Sequence, residues 1–375
     1  MKYYKFNLAA LPDDLFSKQT DVKKWLALTT TAQDKFPPNS LNQLFPLDKD
    51  VEMERIFGIS LYMIGNVLPF VLPLLTMASL ISNVAFMALK ILLVYVGTLF
   101  TMGKLYFLPK FSKKYNRHNL LSKNDTKDNQ YLYTERNNQK YCSMQFVWPE
   151  TIHKPSLDDQ PVIFCAIPHG AAPLGITAYP MWSKLFNDKL CHWTCAPVVL
   201  KLPIISTFMK GIGYVPAKAK NIIDTLTKKE ENVGIILDGV AGMFQSHDEI
   251  AHVKQRKGIV KIALRAGVPI IPVYGFGHTS LWTMVVDPFG VLERLSVKLD
   301  ISLTPFFGRF GWFLGPPRRV AVCVCMGEPV RCPKMDEPTQ QDIDKYHGLL
   351  VKGYEQLFEQ HKEAYGWGDK KLQFV

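Results

Sequence analysis

The chain has 375 residues, of which 47% are hydrophobic, 12% aromatic and 21% charged. It is too apolar to stay disordered and too charged for a multi-span transporter, and the collagen-like, coiled-coil and disulfide-stapled classes are excluded as well. Lys and Arg number 44 against 33 Asp and Glu, a net charge of +11 that attracts phosphates on nucleic acid, anionic lipid or a phosphorylated co-substrate.

Residues 1–56 are balanced in charge, include Pro37-Pro38 and carry no candidate chemistry, so they read as a loosely ordered amphipathic arm. Asp13, Asp14 and Asp21 interrupt any apolar core that a signal peptide would need. From Phe57 to Leu89 there is no charged residue, and after Lys90 the apolar run resumes from Ile91 to Gly103. About 20 apolar residues cross a bilayer once. Residues 57–108 are therefore expected to form a transmembrane helical hairpin, kinked at Pro69 and Pro73 and turning near Ser79, Ser82 and Asn83. Lys49 and Arg55 precede it and Lys104, Lys110, Lys113, Lys114 and Arg117 follow, which puts both ends in the cytosol. Residues 109–141 read as a basic linker. The glycosylation sequon Asn124-Asp125-Thr126 would face the cytosol there and is taken as chance.

From 142 to 366 the pattern is that of one α/β domain, with a short tail at 367–375. Pro161–Ala166 is an apolar strand ending in Ile167-Pro168-His169-Gly170. Gly211–Ala217 is a strand candidate, Asn221–Glu230 an amphipathic helix and Val233–Leu237 a strand followed at once by Asp238-Gly239. Lys257–Arg265 reads as helix, Val268–Phe276 as a strand broken by Pro272, and Val320–Cys325 as another strand. Thr339-Gln340-Gln341-Asp342 is a capping box that opens a helix with Ile343, Tyr346, Leu350, Tyr354, Leu357 and Phe358 on one face. Strands alternating with helices point to a mostly parallel sheet covered on both sides. The cysteines number seven, include no Cys-x-x-Cys pair and read as buried thiols of a reducing compartment, with no metal site. Cys323 and Cys325 should share one face of a strand.

Three places carry chemistry. His169 follows a strand end, where ligands and catalytic groups of open α/β sheets collect, and a neutral imidazole there can take a proton from a hydroxyl. The turn Leu237-Asp238-Gly239-Val240-Ala241-Gly242 brings small residues around a strand end, so a ligand can approach backbone N–H groups. Asp238 could orient His169 or cap the next segment. Arg256-Lys257-Gly258 and Lys261 place basic side chains beside helix N-terminal donors, a phosphate-holding arrangement. On local pattern alone each also reads as structure: a core histidine, a capping Asp, a solvated basic face. No G-x-S-x-G elbow, Walker A motif or G-x-G-x-x-G occurs.

Together these pieces resemble the type-2 diacylglycerol acyltransferase family, which includes monoacylglycerol and wax-ester acyltransferases. Ile167-Pro168-His169-Gly170 is similar to the family's His-Pro-His-Gly motif. Arg256-Lys257-Gly258-Ile259-Val260-Lys261-Ile262-Ala263 resembles its RKGFVKLA segment, and Pro272-Val273-Tyr274-Gly275-Phe276-Gly277 its PVYSFG segment. Met326-Gly327-Glu328-Pro329-Val330 and the run from Pro338 to His347 are similar to its C-terminal pattern, continued by Tyr354, Leu357, Phe358 and His361-Lys362. Three positions depart. Ile167 stands for the first His, Gly242 for the Glu of a Gly-Gly-x-x-Glu turn with Asp238 added nearby, and His278 for the Glu after PVYSFG.

The resemblance implies a glycerolipid acyltransferase-like fold for 142–366 and an endoplasmic reticulum membrane enzyme, also found on lipid droplets. It implies acyl transfer from acyl-CoA, as co-substrate with no other cofactor, to a lipid hydroxyl. Diacylglycerol is the first acceptor expected; monoacylglycerol, a fatty alcohol and an isoprenoid alcohol are the alternatives, and a non-catalytic acyl-lipid-binding scaffold is the reading from another class. His169 would be the general base; Asp238, a departure from the family pattern, is the catalytic candidate read from this chain alone, to orient His169 or cap the next segment. Pro168, Gly170 and Gly239 would line the substrate site, with backbone N–H groups facing the oxyanion, while Arg256, Lys257, Gly258 and Lys261 would hold the CoA phosphates. The basic charge clusters beside the apolar run, which suits a membrane surface and not nucleic acid. Homo-oligomerisation is left open.

Overall fold

The computed structural model describes residues 3–7, 31–45, 90, 141–153, 157, 160–173, 189–201, 206, 209–210, 213–244, 249–285, 287, 289–299 and 304–375. Apart from Lys90, the expected membrane hairpin lies outside the described residues, as do the sequon and nearly all of the linker. Among the described residues no helix is long and apolar enough to cross a membrane.

The described strands β1 (Tyr3–Asn7), β2 (Thr31–Gln33), β3 (Gln145–Pro149), β4 (Ile163–Ile167), β5 (Cys191–Cys195), β6 (Val215–Pro216), β7 (Asn232–Ile236), β9 (Ile270–Phe276) and β12 (Cys323–Met326) form a nine-stranded sheet in the order β2-β1-β3-β12-β9-β4-β7-β5-β6. Strands β9, β4, β7, β5 and β6 run parallel. Strand β12 is antiparallel to β9, and β1 is antiparallel to β3. The expected mostly parallel sheet is thus a mixed one with a parallel centre. Four small strands complete the set: β8 (Ile250–Ala251) pairs with β13 (Gln373–Phe374), and β10 (Thr283–Met284) with β11 (Phe306–Phe307).

Alternation along each strand builds two cores. On β4, Phe164 and Ala166 enter one layer with Trp148, Trp193 and Trp282, while Ile163, Cys165 and Ile167 enter the other. Because both faces are covered, β4 reads Ile-Phe-Cys-Ala-Ile without a polar residue. The second layer is roofed by the amphipathic helices α1 (Ala219–Thr227), α3 (Gly258–Ala266) and α5 (Gln340–Tyr365). The short helix α2 (Gly239–Gly242) contacts α4 (Val291–Leu299). Trp193 on β5 lies across Gly234 on β7, where a Cβ would come within 2.5 Å of the indole ring.

Two expectations are corrected. The N-terminal residues are not wholly a loose arm: Tyr3–Asn7 is a strand hydrogen-bonded to Gln145–Pro149, and Tyr3 is buried against α5. A pairing across some 140 positions leaves no local periodicity to read. Pro272 does not break β9. Ile270 exchanges backbone bonds with Val330, and Gly327 N donates to Pro272 O, so the even residues of β9 face the β12 side. The missing N–H of Pro272 therefore falls where β12 has ended, and no ladder bond is lost.

Candidate active site

Three neighbouring parallel strands each hand over one titratable side chain at the same edge of the sheet, with β9 running two residues past the end of β4. Strand β9 leads through Gly277 to His278, β4 through Pro168 to His169, and β7 through Leu237 to Asp238. The order β9-β4-β7 puts His169 between the other two, at the carboxyl edge of the sheet.

The Ile167–Pro168 peptide is cis. His169 Nδ1 lies 2.8 Å from Gly170 O. A carbonyl can only accept, so Nδ1 carries the proton and Nε2 keeps its lone pair. Burial pushes the imidazole pKa down, against the opposing pull of the backbone bond to Gly170, which holds the ring in its basic, neutral form. Gly170 sits at φ +59°, and a Cβ there would meet His278 Nδ1 at 2.9 Å, so only glycine fits. His278 is fully buried with neither ring nitrogen bonded to a protein group, and burial plus the neighbouring His169 lowers its pKa to about 3.

Asp238 is fully buried, and its Oδ2 accepts the backbone N–H of His169 at 3.0 Å. Of the two roles open to Asp238 from sequence, the side chain makes no cap bond to α2 and instead accepts from the main chain of His169. Burial dominates the Asp238 carboxyl and raises its pKa to about 7, although the N–H bonds and Arg256 pull the other way. The Arg256 guanidinium reaches Gly239, coming 3.8 Å from the point a Cβ would occupy. The structure thus brings Pro168, His169, Gly170, Asp238, Gly239 and Arg256 together. Gly258 opens α3, with exposed Lys261 one turn on, while Lys257 is held 2.7 Å from Asp344 on α5.

Two residues of the site have no local signal in the sequence. His278 is visible there as a departure from the family pattern, and nothing local marks it as a neighbour of His169. Buried Glu249 accepts from Tyr274 Oη at 2.5 Å, Thr279 Oγ1 at 3.0 Å and Lys370 Nζ at 3.0 Å, so it braces β9 and the turn that carries His278. Its three partners are remote in sequence, and only folding assembles them. Ile167, the first departure, points into the helix-covered core and is fully buried there.

A family model described as diacylglycerol acyltransferase matches residues 94–375. The chain belongs to the diacylglycerol acyltransferase family. It is 29% identical over 230 residues to diacylglycerol O-acyltransferase 2 of Xenopus tropicalis, an alignment covering 56% of this chain and 63% of that protein. With the human protein of the same name the identity is 29%, over 54% of this chain and 57% of the relative. With 2-acylglycerol O-acyltransferase 1 of Bos taurus it is 28%, over 54% and 66%. The chain thus spans less than two thirds of each of these three relatives. A Thermotoga maritima 1-acyl-sn-glycerophosphate acyltransferase, PlsC, superposes with a TM-score of 0.38 at 16% identity, over 71% of this chain and 94% of that one. In this member of the family, the His-Gly turn is held by the N–H bond to Asp238 and by the packing of His278 against Gly170.

Proposed function

We propose that the chain transfers a fatty acyl group from acyl-CoA to the hydroxyl of a lipid, with diacylglycerol as the acceptor and triacylglycerol as the product. The observation that carries this reading is the state of His169: a neutral imidazole, Nδ1 tied to Gly170 O and Nε2 left as acceptor, at the carboxyl end of a central strand. Nε2 takes the proton of the acceptor hydroxyl while its oxygen attacks the thioester carbon. The C–O bond forms, the C–S bond breaks, and the proton passes from His169 to the departing sulfur. Neutral His278 beside Gly170 adds a polar group that can face developing negative charge without supplying a competing one.

Arg256 and Lys261, exposed at the mouth of α3, suit the CoA phosphates. Lys257 joins them only by leaving Asp344. The names of the relatives support acylglycerol acceptors. The charge-free run Phe57–Leu89 supports a membrane enzyme, and we place it in the endoplasmic reticulum membrane with both ends cytosolic and access to lipid droplets. The burial of Ile167 in the helix-covered core takes that departure out of the chemistry, because its side chain is not placed to reach the reacting groups.

The test uses microsomes from a yeast strain unable to make neutral lipid, expressing the chain or its His169→Ala variant at matched level. With labelled oleoyl-CoA, the wild type should form labelled triacylglycerol, and His169→Ala should lower the rate by roughly 10²- to 10⁴-fold. A His169-dependent ester other than triacylglycerol would move the acceptor. Ester formation unaffected by His169→Ala would reject the base.

A further inference from the structure

Gly242 lacks a side chain at a point where another residue's carboxylate already stands. A Cβ built on Gly242 would fall 2.1 Å from Asp238 Oδ2, 2.3 Å from its Cγ and 2.9 Å from Oδ1. No Cβ and carboxylate coexist at such distances. The cause is the i, i+4 relation across α2, which stacks the two positions on one face of the turn. The Asp238 carboxylate leans back over this turn, and from there Oδ2 reaches the His169 N–H at 3.0 Å. Oδ1 is buried with no protein partner, a cost that packing alone would remove by using an apolar residue. The carboxylate is therefore kept for the bond it makes.

We infer that positions 238 and 242 are alternative attachment points for one carboxylate, whose task is to hold the main chain of His169 and so set the position of its imidazole. Asp238 is the positioning residue of this chain, and Gly242 is the vacancy that its position imposes. The Cγ of an Asp at 242 would lie one bond beyond the Cβ point, inside the volume that the Asp238 carboxyl now fills. The same acid can be supplied from 242 once 238 is emptied, and the two cannot be present together without displacement.

This inference rests on His169 being the base, and its test has one readout that does not. Four full-length proteins are purified in detergent micelles: wild type, Asp238→Gly, Gly242→Asp and the double variant. Each is read for kcat and KM with oleoyl-CoA and for thermal midpoint. Each single change should lower kcat about 100-fold with KM little changed, and should lower the midpoint. The double variant should recover kcat to within about tenfold of wild type and regain most of the midpoint. Asp238→Asn keeps an acceptor for the His169 N–H and should retain most of kcat, which a requirement for charge would forbid. A double variant no better than the poorer single one, in both rate and midpoint, overturns the inference. So does a Gly242→Asp protein with wild-type rate and midpoint. If a single variant fails to fold, Asp238→Gly with Gly242→Glu supplies the acid from a longer arm and faces the same criterion. Recovery of the midpoint in a wild-type background that makes no ester would reject the base and keep the shared carboxylate.

Discussion

Asp238 and His278 flank His169 and bear opposite ionisation costs. Burial raises the Asp238 pKa from 3.8 to about 7. Its stabilising contribution is complete below about pH 4 and is lost as pH rises through 7, because the folded state then has to bury a charge. The groups that face it are Arg256, which favours the ionised form, and the buried phenols of Tyr274 and Tyr354, whose own pKa values burial and the Asp238 charge raise. His278 behaves in the reverse sense. Its pKa falls from 6.5 to about 3, so its contribution is complete above 6.5 and is lost as pH falls through that window. Asp238→Asn removes only the first effect. The midpoint of this variant relative to wild type should therefore rise between pH 5 and pH 8, by on the order of 5 °C. A difference that stays constant over this range would mean that Asp238 is not held as the buried acid. His169 and Asp238 could be picked out because each follows an apolar strand directly. Which atom of His169 receives the Asp238 bond depends on how two strands are placed side by side, and no spacing in the chain encodes it.

At the scale of elements, α5 was the most legible. Its start is written in Thr339 and Asp342: the Thr339 Oγ1 accepts Asp342 N–H at 3.2 Å, and Asp342 Oδ2 accepts Thr339 N–H at 3.1 Å. Its end is Gly366 at φ +86°, a left-handed position that glycine takes without cost. Between them Ile343, Leu350, Tyr354, Leu357 and Phe358 recur on one face and are buried, with Tyr354 Oη donating to Cys165 O at 2.9 Å. Thr339→Ala should cost about 1 kcal/mol and lower the thermal midpoint by roughly 3 °C, with Thr339→Ser close to wild type. An unchanged midpoint in the Ala variant would show that the first turn is held by tertiary contacts instead. Cys323 and Cys325 also behave as their spacing requires. Both enter the helix-covered layer with sulfurs 3.7 Å apart, and all seven cysteines are free thiols. Strand β9 was harder. A proline inside an apolar run argues for a break, and only the ending of the partner strand opposite Pro272 makes it harmless.

Across the whole molecule, His361 on α5 joins the helix layer to the N-terminal strand. It is buried, its Nε2 has no partner, and Tyr3 meets its ring edge-on with centroids 5.0 Å apart. Burial lowers its pKa to about 3. Like His278, it contributes stability above pH 6.5 that disappears on acidification, since unfolding lets the ring take up a proton. His361→Phe keeps the aromatic contact and removes that proton uptake. The variant should gain more thermal stability over wild type at pH 5 than at pH 8. Equal midpoint differences at the two pH values would assign acid sensitivity to other groups.

The features under local control can be read from the chain alone. Apolar runs bounded by turn residues specify β4 and β7, the capping box and terminal glycine delimit α5, and strand-end positions single out His169 and Asp238 for chemistry. Those features depend on neighbours a few residues away, so the pattern is complete in the chain. Tertiary structure alone decided the rest: β1 joining the sheet, Glu249 bracing β9, His278 arriving beside Gly170, and the Asp238 carboxylate filling the space above Gly242. Three of these four arise from contacts across long stretches of chain, and the fourth from a side-chain direction set by the His169 main chain some 70 residues earlier. The energy of such contacts comes from burial and hydrogen bonding between groups that only the folded sheet brings within reach.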